Sequence, residues 1–213
     1  MKKLHYISLS ILTAFLILTV SCTKDFEDIN TNPHGFTNAS DGSLFNSILE
    51  SLQPGWDEQF YIYNEIFYKQ TQLAALTKEA WGNYTIGTED IWSKYYKTLP
   101  EIRELEKRFD SYEVSPGVTN MKAMLKILFA FKTLKVTDLF GDIPFSEAGY
   151  GFHKPELLRP KYDKQRDIYL EMLEELEWAA ENIELNPQSS EPFTTFREFD
   201  KLFGGDMLKW RKF

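Results

Sequence analysis

The sequence predicts an all-α protein of antiparallel helix pairs joined by long irregular loops. Three observations carry that expectation. Apolar residues recur at threes and fours along several segments, the stripe of a half-buried helix. Between the stripes lie Gly-, Pro- and Asn-rich stretches that stop helices and turn the chain. No segment alternates apolar and polar residues clearly enough to read as a strand. Pairs of this kind stack as in helical solenoids, although the strict tetratricopeptide consensus is absent.

The chain opens with Lys2-Lys3, an apolar run from Tyr6 to Val20, and Ser21-Cys22. Two cations, a short apolar helix and a small residue describe a secretory signal peptide over residues 1–21. The rival is a membrane span, but the run gives only about 22 Å of helix against a hydrocarbon core of ~30 Å. Ser8, Ser10, Thr13 and Thr19 weaken it further. Cys22 is the only cysteine, so no intrachain disulfide can form. A lone thiol directly after a leader resembles the bacterial lipobox, whose cysteine is lipidated and becomes the mature N-terminus. That pattern prefers Leu three places before the cysteine, where this chain has Thr19, with Leu18 one place earlier. Thr19 and Ser21 also suit ordinary cleavage, which leaves a secreted protein with an incidental thiol. Residues 22–40 are polar and turn-rich, with Asn30-Thr31-Asn32-Pro33-His34-Gly35 at their centre. They read as a lipid-anchored tether or as a disordered terminus.

Residues 41–213 hold the helices. Asp41 or Ser43 can cap a first one carrying Leu44, Phe45, Ile48, Leu49 and Leu52, stopped by Pro54-Gly55. Trp56, Phe60, Tyr63, Phe67 and Ala74 mark a second, followed by a loop from Lys78 to Gly87. A third runs from about Thr88 to Phe109 on Ile91, Trp92, Tyr95, Tyr96, Leu99, Ile102, Leu105 and Phe109. Pro100 either kinks it or divides it into two abutting helices. Ser115-Pro116-Gly117 ends that unit. Met121 to Val136 is apolar almost all round between Ala123 and Phe131, as a helix in the middle of a packed array is. Gly141 and Pro144 then forbid helix, and the chain loops to Pro160. Asp163 can cap a helix on Ile168, Tyr169, Met172, Leu173, Leu176, Ala179, Ala180 and Ile183. After a loop at residues 186–192, residues 200–213 read as a turn entering a new helix without a C-cap signal, as in a truncated chain.

Acids outnumber bases 32 to 24, giving a formal net charge of −8, or −10 once the leader and its two lysines are gone. That surface argues against nucleic acid and against a basic helix lying on anionic lipid. The 17 Phe, 11 Tyr and 5 Trp either fill a helical core or furnish stacking platforms. No metal or other cofactor is expected, because His5, His34 and His153 are scattered and no His/Cys spacing suits a metal. Asp138, Asp142 and Glu147 form the one tempting carboxylate group, and a glycosidase needs two flanking a sugar. Beside Gly141 and Pro144 such acids more readily pin a turn through backbone hydrogen bonds. The chain therefore reads as a non-enzyme. Trp92, Tyr95 and Tyr96 lie at helical spacing and read as core. Trp81 and Tyr84 lie off any stripe, in a loop with Asn83. Exposed rings there suit stacking on sugar faces and Asn83 suits hydroxyls, the alternative being a loop folded back onto the helices.

Four pieces in order carry a family resemblance. They are Cys22-Thr23-Lys24-Asp25-Phe26 with Ile29-Asn30-Thr31-Asn32-Pro33; the run from Thr137 to Ala148 with Phe140-Gly141-Asp142-Ile143-Pro144; Tyr162-Asp163-Lys164-Gln165 leading to Ile168-Tyr169; and Gly204-Gly205-Asp206-Met207-Leu208-Lys209-Trp210. Together they resemble the N-terminal portion of a SusD/RagB family lipoprotein of the SusD-like branch. The resemblance implies tetratricopeptide-like helix pairs, with a long second half beyond Trp210. It implies a palmitate-bearing Cys22 in the outer membrane of a Bacteroidetes bacterium, facing the exterior, and ligand aromatics in a loop comparable to that of Trp81 and Tyr84. It also implies partners: a SusC-like TonB-dependent transporter and a nutrient, often a glycan or oligosaccharide. The competing functions are a helical-repeat adaptor that binds only protein and, further off, a carbohydrate-active enzyme.

Overall fold

The structure, a computed structural model, describes residues 39–56, 58–59, 67–68, 71–73, 88–187 and 191–213. Helix α1 (Asp41–Glu50) starts where the Ser40 hydroxyl accepts the Ser43 amide at 3.1 Å. The cap is thus neither of the two that the sequence offers but the residue before Asp41. Asp41 sits in the first turn, where its charge suits the positive end of the helix, and its carboxylate accepts from Arg108 at 3.0 Å and Tyr112 at 2.5 Å. The helix ends at Ser51, ahead of Pro54-Gly55. Of the stripe expected next, Trp56 and Phe67 are exposed, while Phe60, Tyr63 and Ala74 lie outside the described residues.

Helix α2 (Thr88–Ser111) runs unbroken through Pro100, whose ring is exposed while Leu99 and Ile102 are fully buried beside it. Packing on that face holds the helix together where a proline interrupts its hydrogen bonding. The expected stripe is the observed one: Ile91, Tyr95, Leu99, Ile102, Leu105 and Phe109 are buried, and Trp92 and Tyr96 partly so. Helix α3 (Pro116–Phe140) is longer than its apolar run. Ser115-Pro116-Gly117 opens it as well as closing the preceding unit. The Ser115 hydroxyl accepts the Val118 amide, and Pro116 stands at the first turn, where its missing N–H has no partner to lose. Gly141, at φ +72°, ends the helix, its amide donating to Thr137 O at 2.7 Å. From Met121 to Ala130 only Lys122 and Lys126 escape burial, as the all-round apolar run foretells.

Side-chain pairs fix the helix directions. Asp41–Arg108, Ser47–Glu101 and Gln53–Lys94 run oppositely along α1 and α2 and beyond. Tyr95–Thr133 and Asp110–Lys122 do the same for α2 and α3. Asp138–Tyr169, Lys126–Glu175 and Asn120–Glu184 do so for α3 and helix α4 (Gln165–Asn182). Each helix is antiparallel to the next, with α3 covered by neighbours on both sides, so the fold is the all-α, tetratricopeptide-like stack with irregular loops.

Between α3 and α4 the sequence foresees no strand, yet Ile143–Pro144 (β1) pairs antiparallel with Tyr162–Asp163 (β2). Two residues are too few to show a period of two. Asp163 is not the cap of α4. Its carboxylate accepts the amides of Phe145 (3.2 Å) and Ser146 (2.7 Å) and the Ser146 hydroxyl (2.9 Å), clamping the turn after β1. Asp142, from across that ladder, accepts the first amide of α4, Gln165 N, at 2.9 Å. On α4, Ile168, Met172 and Ala179 are buried, whereas Leu173 and Ala180 of the expected stripe are exposed. The chain closes with α5 (Phe193–Arg197), a turn, and α6 (Met207–Lys212). Phe45, Phe109, Phe196 and Trp210 join α1, α2, α5 and α6 in one aromatic cluster, with ring centroids 4.6 to 6.0 Å apart in each touching pair.

Candidate functional site

Cys22, Trp81, Asn83 and Tyr84, the residues that the sequence nominates for lipidation and ligand binding, lie outside the described residues. The other candidates can be placed. Asp138 accepts from the Tyr169 hydroxyl, Asp142 from Gln165 N, and Glu147 from Lys161 N at 3.2 Å. Asp142 and Glu147 thus take backbone amides, as their position beside Gly141 and Pro144 suggests, whereas Asp138 ties α3 to α4 through a side chain. Trp92, Tyr95 and Tyr96 pack against one another at the core, with Trp92 4.7 Å from Tyr96 and edge-on to Phe140 at 4.9 Å, and Tyr95 edge-on to Tyr96. Burial pushes the Tyr95 phenol up to about 12, and its hydroxyl pairs with Thr133. No group of His, Cys, Asp or Glu suited to a metal occurs among the described residues.

One roomy cleft faces α2, α3, α4 and the loop after β1, with a volume of about 660 Å³. Its floor is apolar, made by Phe109, Leu125 and Phe129. Its wall is organised by Arg103, which is 6% exposed. That guanidinium donates to the carbonyls of Phe145 (3.1 Å) and Ala148 (3.3 Å) and to Glu106 (2.9 Å). It also lies 4.7 Å from the centroid of Phe129 and 4.8 Å from that of Tyr150. The loop comes this close because position 149 is glycine. At φ +86°, a Cβ there would stand 2.8 Å from Leu99 Cγ and 2.9 Å from Arg103 Cγ.

Most charges in the cleft are matched. Lys122 pairs with Asp110 at 2.7 Å, and Lys126 pairs with Glu175 while lying 5.2 Å from the Trp178 ring. His153 Nε2 is 2.7 Å from Glu104. Burial would raise the Glu104 carboxyl, but hydrogen bonds from Arg108 and His153 prevail and hold it below the usual range. Glu171 makes no hydrogen bond or ion pair among the described residues, and burial pushes its carboxyl up. Sequence reasoning missed this cleft, although its criterion for Trp81 applies: Gly149-Tyr150-Gly151-Phe152-His153 also puts rings between glycines in a loop. No helix among the described residues is long and apolar enough to cross a membrane.

Comparison with known proteins identifies the scaffold. A family profile described as "Starch-binding associating with outer membrane" matches residues 33–213. The fold is similar to that of a SusD homolog from Bacteroides fragilis, at 21% identity and a TM-score of 0.52 over 81% of this chain and 33% of that one. It is similar too to a SusD/RagB family protein from Bacteroides thetaiotaomicron, at 19% identity and a TM-score of 0.55 over 82% of this chain and 36% of that one. The chain therefore spans about a third of the length of these two relatives. No curated protein matches it. At such identity the solved structures speak to the fold alone, and the profile, matched over most of the sequence, says that this chain belongs to the SusD-like family.

Proposed function

We propose that this chain is part of an outer-membrane lipoprotein that captures a glycan or oligosaccharide outside the cell and passes it to a SusC-like TonB-dependent transporter. The observation that carries this reading is the family profile over residues 33–213, whose description names starch binding and the outer membrane. The leader and Cys22 support anchoring by lipid. Each buried acyl CH₂ contributes about 0.8 kcal/mol, so several chains on one cysteine hold the protein to the bilayer. Trp81, Asn83 and Tyr84, in the stretch that the sequence reads as a loop, are the residues we assign to the ligand. A tethered carrier needs binding and no chemistry, which fits the structural use of Asp138, Asp142 and Glu147.

The test is to grow cells with labelled fatty acid and compare wild type with Cys22→Ser, then pass detergent-solubilised protein over immobilised glycans. Label and membrane retention should vanish in the variant, and Trp81→Ala should weaken glycan capture about tenfold without lowering the melting temperature. An unlabelled wild type ends the lipoprotein reading. Co-purification with a barrel but no glycan retention favours the protein-binding adaptor, and turnover of oligosaccharide favours the enzyme.

A further inference from the structure

We propose that the cleft facing α2, α3 and α4 binds an anionic oligosaccharide of the uronate class, its carboxylates met by Lys107 and Lys154 and a sugar face laid against Phe152. This rests on reading the chain as a glycan-binding protein, and it names a site and a substrate class beyond that reading.

The charge of the cleft sets it apart from the rest of the chain. In a sequence with 32 acids to 24 bases, the cleft is lined by five Lys/Arg side chains against four carboxylates. Arg103, Lys122 and Lys126 are each matched by an acid at the site. Lys107 and Lys154 have no ion pair among the described residues. Lys107 reaches only His153 Nδ1, at 3.5 Å, and Lys154 lies 5.3 Å from the Tyr150 ring. Both belong to the cleft lining together with His153. Two unpaired cations side by side on an acidic protein invite an anionic ligand, and their attraction steers it to the cleft.

The rings supply the sugar half of the recognition. Phe152 is 89% exposed, an apolar ring left almost wholly in water, and its centroid is 5.3 Å from that of His153. A pyranose turns its C–H face to such a ring, which stands beside His153 at the edge of the cleft, while Tyr150 in the lining is held by Arg103. Glu171, without a protein donor among the described residues, is free to accept from ligand hydroxyls. The volume of about 660 Å³ falls within the ~300–1,000 Å³ typical of small-molecule sites. A neutral glycan uses the ring and takes neutral hydrogen bonds from the lysines, whereas a uronate also forms charge pairs with both.

Calorimetric titration of the full chain with oligogalacturonate, with malto-oligosaccharide of equal length and with oligoglutamate of equal charge tests the assignment. Oligogalacturonate should bind, more weakly as salt rises, and the double variant Lys107→Ala/Lys154→Ala should lose about tenfold or more in affinity. Phe152→Ala should weaken it as well. All three positions are on the surface, so circular dichroism should stay unchanged. Equal affinity in the double variant overturns the proposal, and so does oligoglutamate binding as tightly as the uronate. Neutral glycan held through Trp81 with no uronate binding sinks this inference alone. Failure of every saccharide sinks the glycan reading and this inference with it.

Discussion

At the scale of single residues, the buried polar groups that hold this fold are few, and each can be tested. Asp200 is 3% exposed and gathers four donors: the amides of Leu202 and Phe203 at 3.0 Å, Gly205 N at 2.7 Å and the Trp210 indole at 2.7 Å. Removing the acceptor would leave the buried Trp210 indole N–H unpaired and take the shared partner from three amides of the half-buried turn. Asp200→Ala should therefore lose about 3 kcal/mol in urea unfolding, whereas a loss under ~1 kcal/mol would mean that water replaces it. Lys132 is the opposite case, a buried cation whose Nζ donates to Ser51 Oγ at 2.7 Å. Burial first, then Lys135 and Lys94, push its amine down to about 8, against weaker support from Glu101 and Glu58. Between that value and about 10.5 the unfolded chain binds more protons than the folded one, so stability rises with pH across this window. Below pH 8 the full penalty, about 3 kcal/mol, stands. Lys132→Met gives up one hydrogen bond worth about 1 kcal/mol, so it should be more stable by about 2 kcal/mol at pH 7. That advantage should shrink as pH climbs towards 10. Parallel stability curves for the two proteins between pH 7 and 10 would contradict this account.

At the scale of elements, the stripe of α2 was legible and the caps were not. Helix α2 follows from residue spacing, because a period of 3.6 repeated over six or seven turns outweighs any local ambiguity, and α3 follows from an apolar run too long for a strand. Capping is decided by one hydrogen bond, and for α4 the acceptor comes from elsewhere. Asp163 stands where a cap belongs, yet it clamps Phe145 and Ser146, and Asp142 reaches α4 from 23 residues away. That exchange depends on the two-residue β1–β2 ladder, which is too short to show in any pattern. Amide hydrogen exchange separates the two roles. Asp142→Ala should speed exchange at Gln165 and cost about 1 kcal/mol, leaving Phe145 and Ser146 protected. Asp163→Ala should do the reverse, and faster exchange at Gln165 in that variant would return the cap to Asp163.

At the scale of the whole molecule, the site was less legible than the fold because a cleft is made by convergence. The spacing of Arg103 on α2 and of Tyr150 in a loop says nothing about their meeting, which the close approach at Gly149 brings about. Rings on glycine-flanked loops were readable as a class, and Trp81 was singled out by it while Tyr150 and Phe152 were passed over. The same convergence governs stability. The last helix meets the first described one, since Trp210 on α6 is fully buried 6.0 Å from Phe45 on α1, and Phe196 on α5 bridges Phe45 and Phe109. Contacts so distant in sequence tie α1, α2, α5 and α6 into one cooperative unit. Trp210→Ala opens a cavity there and strips Asp200 of its indole donor, so it should cost about 3–5 kcal/mol. The loss should show as one transition in which far-UV circular dichroism and amide exchange in α1 report the same midpoint. If α1 instead melted at its old midpoint while only α6 frayed, the aromatic cluster would be a local patch and not the bolt that closes the stack.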